Sequence, residues 1–272
     1  MTILEAIILG AVQGITEFLP VSSSGHLVLL QRIFGITESA LFFDTMVHVG
    51  TLLAVVMVLR RDMGRILRRI FQPLTGFLIL GTIPTVIAAL LFGDWLEHAF
   101  ASGGYLGFAF LFTSLALLVS DRFSRRSGTV RPEESAGWFD ALVIGICQAA
   151  AIIPGVSRSG LTLSGALSRK LNRDYAARFS FLLSIPAILG ALVLQIKEIL
   201  FSAGPEETGG ALTTIGIAPL AAGTLTAALV GFFSVQLMLR IVHERALWGF
   251  AAYTAALGGM VLVDQYITGV FF

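Results

Sequence analysis

Residues 5–25 read EAIILGAVQGITEFLPVSSSG, and residues 140–160 read DALVIGICQAAAIIPGVSRSG. The two stretches align without a gap, and their identical pairs are Ala6/Ala141, Gly10/Gly145, Gln13/Gln148, Val21/Val156, Ser22/Ser157, Ser24/Ser159 and Gly25/Gly160. Apolar, glycine-rich segments match by chance, so the Ala and Gly pairs carry little weight. The paired Gln and Ser residues are harder to obtain by chance, and they indicate an internal repeat. In each copy a Pro and a Ser- and Gly-rich turn interrupt an apolar helical run.

The composition of the chain points to lipid as its solvent. Of 272 residues, 56% are hydrophobic and 13% are charged, about half the charged fraction of a soluble protein. A soluble fold of this length cannot bury that much apolar surface. The near-equal counts of 18 basic and 17 acidic residues argue against a nucleic-acid partner. One cysteine, Cys147, excludes an internal disulfide and a cysteine-rich metal site.

The apolar runs predict an all-α integral membrane protein, because each approaches the ~20 residues that a helix needs to cross a bilayer. We predict six crossings, at about 42–59, 74–92, 104–120, 175–199, 211–239 and 246–268. Basic residues cluster after the first and third crossings, before the fourth, and between the fifth and sixth. The positive-inside rule places all four clusters in the cytoplasm, and the C-terminus then ends outside.

Two apolar stretches, 1–35 and 138–168, remain outside these crossings. Basic clusters flank the second stretch on both sides, so we expect it to enter from the cytoplasm and return as a re-entrant helical hairpin. The first stretch has the same form and enters from the other face. We therefore predict one polytopic domain over 1–272, built as an inverted-topology repeat with copies at about 1–120 and 138–268. In such folds the functional site lies near the midplane, where the broken helices meet; the alternative is symmetry of packing alone.

The first break carries residues suited to acid–base and nucleophilic chemistry. Gln13 and Glu17 lie four residues apart, on one helical face. Ser22, Ser23 and Ser24 follow, and His26 begins the return limb. Together they could supply a base, a nucleophile and a proton carrier. The structural alternatives are a buried carboxylate bonded to backbone, a core histidine, and serines that bond their own turn.

The second break places Arg158 between Ser157 and Ser159, with Thr162 one turn later. Arginine binds phosphate oxygens in a bidentate manner, and a helix N-terminus favours anions. This segment therefore predicts an anion site, and phosphate fits it best. The alternative is a salt bridge from Arg158 to Glu17 that pins the two hairpins together. Both could hold, one in the resting state and one with substrate bound.

A phosphate site inside the membrane suggests a phosphorylated lipid, although these residues do not separate glycerol-linked from isoprenoid-linked phosphates. Asp44 and His48 lie one turn apart on the first crossing. They could line the same cavity or simply pair with each other, since ionisable residues within a membrane usually face an interior cavity.

Four segments together resemble the bacitracin-resistance type of undecaprenyl-diphosphatase over essentially the whole chain: QGITEFLPVSSSGH (13–26), FFDTMVHVGTLLAV (42–55), PGVSRSGLT (154–162) and FSFLLSIPAILGA (179–191). The resemblance implies hydrolysis of undecaprenyl diphosphate to undecaprenyl phosphate and phosphate. That reaction recycles the lipid carrier of peptidoglycan synthesis and confers bacitracin resistance. The resemblance also implies a bacterial plasma-membrane protein whose site opens to the outer face. It leaves a homodimer open.

The resemblance assigns roles residue by residue. The implied catalytic residues are Glu17, Ser23, His26 and Arg158. The implied diphosphate-binding residues are Gln13, Ser22, Ser24, Ser157, Ser159 and Thr162. The family pattern allows Glu or Gln at the position of Gln13, so a metal held by two carboxylates of that helix is in doubt here. Glu17, phosphate oxygens and waters could still hold Mg²⁺ or Ca²⁺.

The mechanism expected from this resemblance has Arg158 and backbone N–H groups hold the diphosphate. Ser23 attacks the terminal phosphorus or positions the water that does so. His26 moves the proton, and Glu17 orients His26 or binds metal; a phosphohistidine at His26 is the competing version. The isoprenoid tail is expected in an apolar groove between helices. The alternative function is a transporter or flippase of a phosphorylated polyprenyl lipid, because inverted repeats with broken helices are also transporter architecture.

Overall fold

A computed structural model of the chain describes residues 1–36, 40–126, 130–201, 215–244 and 247–272. The described residues form α-helices and no β-strand, which confirms the predicted all-α class. In chain order the helices are α1 (Ile3–Thr16), α2 (Ser23–Ile33), α3 (Ala40–Val58), α4 (Arg60–Arg68), α5 (Pro73–Ser102), α6 (Leu106–Arg126), α7 (Trp138–Ala150), α8 (Arg158–Ser168), α9 (Arg173–Phe201), α10 (Ile217–Glu244) and α11 (Trp248–Val263).

The long helices make the chain a multi-pass membrane protein. Helices α5, α6, α9 and α10 are each long and apolar enough to cross a membrane, and α3 with α4 would add a fifth span across a bend of 80°. Each of the six predicted crossings coincides with a helix, although residues 211–214 of the fifth lie outside the described residues. Helix α11 has 16 residues, too few to span alone, and a π-helix over Asp264–Thr268 continues it to the predicted end at 268. The count of six crossings therefore stays a prediction.

The helical segment of α11 ends at Thr268, where the predicted crossing also ends, and Asp264 then binds the residues that follow. Its carboxylate accepts the backbone N–H groups of Val270 at 3.0 Å, Phe271 at 3.0 Å and Phe272 at 3.1 Å. The side chain of Thr268 also donates to Asp264, at 2.6 Å. The backbone therefore leaves the helix at Gly269, whose φ is 58°, and the last three residues fold back on Asp264.

The predicted hairpins are helix pairs whose members are too short to cross a membrane alone. Helices α1 and α7 have 14 and 13 residues, and α2 and α8 have 11 each. A helix of 14 residues is only about 21 Å long. Helix α1 begins in a capping box in which Thr2 and Glu5 bond each other's backbone. The N–H of Gly137 donates to Asp140 at 3.0 Å at the start of α7.

The first helix of each hairpin packs against a long helix of the other half of the chain. Helix α1 lies against α10, and α7 lies against α5. A glycine lies at each crossing: a Cβ on Gly10 would collide with the carbonyl oxygen of Gly223, and a Cβ on Gly145 would lie 2.5 Å from that of Gly81. Gly10 and Gly145 are matched positions of the two 21-residue stretches. The paired glycines, which the sequence alone does not distinguish from chance matches, therefore mark a close backbone approach in each hairpin.

Ion pairs collect at one end of the helix bundle. Asp140 accepts from Arg131 Nη1 at 2.9 Å and from Arg169 Nε at 2.7 Å. Nearby, Arg173 pairs with Asp121 at 2.5 Å. All these residues belong to segments that the basic clusters assign to one face. At the other end, Arg32 Nη2 donates to the carbonyl of Ser102 at 2.7 Å and its guanidinium lies over the Phe272 ring.

Candidate functional site

Three side-chain contacts join the two breaks. Arg158 Nη2 pairs with Glu17 Oε1. Ser159 Oγ donates to the carbonyl oxygen of Leu19 at 2.9 Å, and the N–H of Gly155 donates to Ser24 Oγ at 3.3 Å. The segments between α1 and α2 and between α7 and α8 therefore meet, although they lie more than a hundred residues apart in the chain.

Glu17 is the centre of this junction. Its side chain is 3% exposed, and an unpaired carboxylate would be costly at such a depth. Besides Arg158, Gln13 Nε2 donates to Oε2 at 2.9 Å and Ser23 Oγ donates to the same oxygen at 2.6 Å. His48 Nε2 lies 3.5 Å from Oε2. Both carboxylate oxygens are thus held by donors from three different helical segments.

A cavity of about 650 Å³ opens beside Glu17 and Arg158. Its polar lining consists of Glu17, Ser23, Ser24, His48, Thr82, Thr85, Gln148 and Arg158. The rest of the wall comes largely from apolar residues of α5 and α9, including Val86, Leu90, Leu189 and Val193. A polar group with an apolar tail matches this division of the lining.

An apolar groove of about 440 Å³ continues from this cavity. The two share Thr82, Val86 and Pro186. The groove runs between α5 and α9 to Met63 and Ile66 of α4. It therefore extends toward the end of the bundle where the ion pairs collect.

Several of the predicted diphosphate-binding side chains hold the breaks in shape. Ser22 Oγ accepts the N–H of Gly25 at 3.2 Å, and Ser157 Oγ accepts that of Gly160 at 3.1 Å, so these hydroxyls cap α2 and α8. Ser22 has a φ of 71°, in the left-handed region that residues other than glycine rarely adopt. Such strain persists only where neighbouring contacts enforce it, and it lies here directly beside Ser23.

Thr162 and Ser159 also have protein partners. Thr162 Oγ1 donates to the carbonyl oxygen of Arg158 at 2.8 Å and lies 2.5 Å from Ser180 Oγ. Ser159 Oγ donates to the carbonyl oxygen of Leu19. Of the six predicted diphosphate-binding residues, Ser24 is the one that lines the cavity in the described part of the chain. Their binding roles stay predictions.

His26 lies behind the break rather than on the cavity wall. Its Nδ1 donates to the Ser22 carbonyl oxygen at 2.6 Å, because a carbonyl can only accept. Its Nε2 then accepts from the Tyr253 hydroxyl at 2.7 Å, and its ring meets Phe110 edge-on. Tyr253 could not be predicted from the sequence, since only the folded chain brings α11 to α2. Among the described residues, Glu17 contacts His48 and not His26.

Asp44 and His48 have separate side-chain partners. Asp44 accepts from Gln31 Nε2 at 2.6 Å. His48 Nδ1 donates to the backbone carbonyl of Asp44 at 2.6 Å, which leaves Nε2 directed at Glu17. The expectation that this pair lines the cavity is met by His48 only. Asp44 is not among the lining residues of the described cavities.

A divalent cation would find oxygen donors at Glu17 and its neighbours. No group of three or more His, Cys, Asp or Glu side chains in the described ranges is arranged to bind a metal. However, Gln13 Oε1 is buried without a hydrogen-bond partner among those residues, and Gln13 Nε2 bonds Glu17. One carboxylate and one amide oxygen fit the way proteins hold Mg²⁺, which keeps waters and substrate phosphates as its other ligands.

Comparison with known proteins identifies the family. The sequence model of the family described as "Bacitracin resistance protein BacA" matches residues 6–260. The chain belongs to this family. It is 45% identical over 265 residues to a protein named "Undecaprenyl-diphosphatase" from Carboxydothermus hydrogenoformans, covering 97% of this chain and 98% of that protein. It is 42% identical over 266 residues to "Undecaprenyl-diphosphatase 4" of Bacillus thuringiensis, with 98% of each covered. A protein named "Undecaprenyl-diphosphatase" from Methanosphaera stadtmanae is 38% identical over 288 residues.

Proposed function

We propose that the chain hydrolyses undecaprenyl diphosphate to undecaprenyl phosphate and inorganic phosphate. The observation that carries this proposal is the junction of Glu17, Ser23 and Arg158 on the wall of a cavity whose remaining lining is largely apolar. Membership in the BacA family and the names of full-length relatives support it. The product would return to peptidoglycan synthesis, and removal of the diphosphate would deny bacitracin its target.

Arg158 is the proposed anchor for the diphosphate. It lies at the first position of α8, where free backbone N–H groups also favour an anion. Among the described residues only Glu17 hydrogen-bonds its guanidinium, through Nη2. The fork of N–H donors can therefore bind phosphate oxygens and stabilise the charge on the transferring phosphoryl group. The ion pair to Glu17 is then the resting state of a cation whose working partner is the substrate.

Ser23 and Glu17 are the proposed reacting pair. Ser23 Oγ lies on the cavity wall, 2.6 Å from Glu17 Oε2. Oxygen of Ser23, or of a water that Ser23 positions, forms the new bond to the terminal phosphorus. The bridging P–O bond breaks as that bond forms, and the lipid phosphate leaves with its electrons. Glu17 Oε2 accepts the proton that the attacking hydroxyl gives up. If Ser23 is the attacking group, a water then attacks the phosphoserine, the Oγ–P bond breaks, Glu17 returns the proton to Ser23, and inorganic phosphate leaves. A proton-carrying or phosphorylated His26 stays a prediction.

A divalent cation, Mg²⁺ or Ca²⁺, is proposed beside Glu17. Glu17 and the amide oxygen of Gln13 would hold it, and it would neutralise charge on the phosphate oxygens. Chelation should therefore abolish phosphate release by the purified protein, and either cation should restore it. Release that is unchanged in excess chelator would remove the cation from this proposal.

The apolar groove between α5 and α9 is the proposed site for the first isoprene units of the tail. It leads from the cavity toward Met63 and Ile66, at the end of the bundle that carries the ion pairs. If that end faces the cytoplasm of a bacterium, as the basic clusters predict, the headgroup of a lipid in this groove points to the outer face. We therefore place the protein in the plasma membrane with its site open to the outside.

A phosphate-release assay on purified protein in detergent tests the proposed activity. The protein is expected to release phosphate from undecaprenyl diphosphate, and an Arg158→Ala protein of equal folded content should release almost none. Detergent abolishes transport but not hydrolysis, so the alternative of a lipid transporter predicts no release. No release by folded wild-type protein, with either cation present, would rule out the enzyme.

A further inference from the structure

Gln148 is a buried amide of the second hairpin that the roles above do not use. It is 1% exposed, and its Nε2 donates to Thr85 Oγ1 of α5 at 3.1 Å. Its Oε1 has no hydrogen-bond partner among the described residues. Both Gln148 and Thr85 line the cavity that holds Glu17, Ser23 and Arg158. A buried polar atom without a partner is costly, so an unpartnered amide oxygen on a residue that lines a cavity indicates a ligand.

The repeat shows which kind of ligand this amide can serve. In the gapless alignment Gln148 matches Gln13, whereas Glu17 matches Ile152 and Ser23 matches Arg158. The amide of Gln13 donates to a carboxylate, and the second hairpin has no carboxylate at the matched position. The second hairpin therefore presents a cation, helix N–H groups and an amide. All three are donors suited to an anion.

We propose that Gln148 binds the diphosphate, and that Thr85 positions it for this role. A diphosphate has oxygen acceptors but no donor for Oε1. The amide must therefore rotate by half a turn about its last side-chain bond, so that Nε2 and Oε1 exchange places. A threonine hydroxyl both accepts and donates. Thr85 Oγ1 can therefore donate to Oε1 in the turned state, and Nε2 is then directed at a phosphate oxygen. This turn satisfies both ends of the amide when the substrate is bound.

The neighbouring Thr82 shows why Thr85 is suited to this exchange. Thr82 lies on the same helix and also lines the cavity, but its hydroxyl donates to the Leu78 carbonyl at 2.7 Å. In the described contacts Thr85 acts only as an acceptor, from Gln148. Thr82 and Thr85 thus form a matched pair of cavity threonines, one engaged by its own helix and one by Gln148.

This inference rests on the proposed function, and binding of an uncleavable analogue tests it independently of turnover. The probe is a prenyl diphosphate whose bridging oxygen is replaced by methylene. Gln148→Leu should weaken its binding roughly tenfold to hundredfold, the value of one hydrogen bond to a charged group. Gln148→Glu should weaken it further, because a carboxylate repels phosphate. Thr85→Val should weaken binding in the same direction, and by clearly more than Thr82→Val, because the Thr82 hydroxyl is engaged by its own helix.

The two glutamine variants separate a donor from an acceptor. If Oε1 instead accepts from a water or a protonated phosphate, Gln148→Glu would bind as well as wild type and better than Gln148→Leu, and the proposal would be wrong. Equal effects of Thr82→Val and Thr85→Val would remove Thr85 from it. Analogue binding without phosphate release by wild type would contradict the proposed hydrolysis and leave this site standing. Thermal unfolding of each variant in detergent verifies that it is folded.

Discussion

Arg158 of the second hairpin donates to Glu17 Oε1 of the first hairpin, across 141 residues of sequence. The side chains are 18% and 3% exposed, so the pair is largely withdrawn from solvent. It joins the only charged residues of the two breaks, and each member also lines the cavity. The pair therefore has two separable roles, since it links the hairpins and also supplies the proposed chemistry.

Replacement of Arg158 should remove activity even where positive charge is kept. Arg158→Lys keeps a cation but loses the planar fork that binds two phosphate oxygens. Arginines that stabilise a transferring phosphoryl group contribute about 10³-fold or more to turnover. We expect Arg158→Lys to lose most turnover and Arg158→Ala nearly all of it in the phosphate-release assay. Full activity of Arg158→Lys would show that bidentate binding is not required.

A double variant separates the structural role of the pair from its chemistry. Arg158→Met alone leaves a buried carboxylate unpaired, which should cost about 3–5 kcal/mol of unfolding free energy. Adding Glu17→Gln removes that charge, so the thermal midpoint in detergent should recover most of the loss. Phosphate release should remain absent in both proteins. Recovery of activity together with stability would mean that the pair only holds the hairpins together.

Much of this junction could be predicted from the sequence. Arg158 and Glu17 stood out because charge is scarce in a membrane protein, and their pairing was one of the stated alternatives. Tyr253, Thr85 and Thr82 could not be found in this way, because a hydroxyl on an apolar helix carries no pattern. Their roles depend on which helices become neighbours. Gln148 did have a signal, its match to Gln13, which the assignment of site residues did not use.

Adjacent serines of the first break should respond differently to removal of the hydroxyl. Ser23 Oγ faces the cavity and bonds Glu17, whereas Ser22 Oγ caps α2 by accepting the N–H of Gly25. Ser23→Ala should abolish most phosphate release with little loss of stability. Ser22→Ala should lose about 1 kcal/mol of stability, the usual value of a helix cap, while it keeps more activity. The reverse order, measured by release and by thermal unfolding, would exclude Ser23 as the reacting or positioning hydroxyl.

The fold was predictable where the sequence pattern is long and uniform. Apolar runs located every long helix, and the basic clusters correctly grouped the segments whose ion pairs meet at one end. The pattern did not reveal that α1 packs on α10 and α7 on α5. That arrangement depends on Gly10 and Gly145, and a glycine in an apolar run does not show which backbone it approaches. Nor did it predict the π-helical turn over Asp264–Thr268 or the hydrogen bonds that Asp264 accepts from the residues that follow it.

The glycine crossings should tolerate no side chain. Gly10→Ala and Gly145→Ala each place a methyl group against a backbone carbonyl, of Gly223 and of Gly81. Because backbone cannot move aside as a flexible side chain can, each should lower the unfolding free energy by about 1–3 kcal/mol. Gly259→Ala is the matched control, since an added Cβ on this helical glycine would meet nothing within 4 Å. Because Ala favours a helix more than Gly does, Gly259→Ala should not lower the midpoint. Thermal midpoints that fall equally in all three would show that close approach does not set the effect.

Asp140 should stabilise the charged end of the bundle in a pH-dependent way. Burial raises the pKa of this carboxyl, but hydrogen bonds from Arg131 and Arg169 outweigh that effect, so its pKa lies below the usual value. A lowered pKa means that the stabilisation is complete above about pH 4, the usual pKa of Asp, and is lost as the pH falls through the folded-state value. At pH 7, Asp140→Asn should therefore lower the free energy of unfolding by on the order of 2 kcal/mol relative to wild type. The difference should shrink below pH 4.

Asp174→Asn provides the control for that measurement. Asp174 pairs with His243 at 2.9 Å, but the two side chains are 45% and 66% exposed. Exposed ion pairs contribute about 0–1 kcal/mol, so this variant should unfold close to wild type. An Asp140→Asn protein that matches Asp174→Asn at pH 7 would show that the two arginines find other partners and that the cluster does not depend on this carboxylate.

A bulky residue in the apolar groove should affect long-tailed substrates selectively. Ile79 lines the groove on α5, and Ile79→Trp would fill part of the space proposed for isoprene units. If the tryptophan keeps even two CH₂ groups of the tail out of the groove, the lost burial should lower kcat/KM about tenfold. We expect about that loss for undecaprenyl diphosphate and a smaller one for farnesyl diphosphate, whose short tail enters less of the groove. Leu91→Trp is the control, because Leu91 is 71% exposed on the same helix and lines neither described cavity. Equal losses for both substrates would indicate distortion of the headgroup site. No loss for either would place the tail outside this groove, against Leu90 and Val193 of the headgroup cavity.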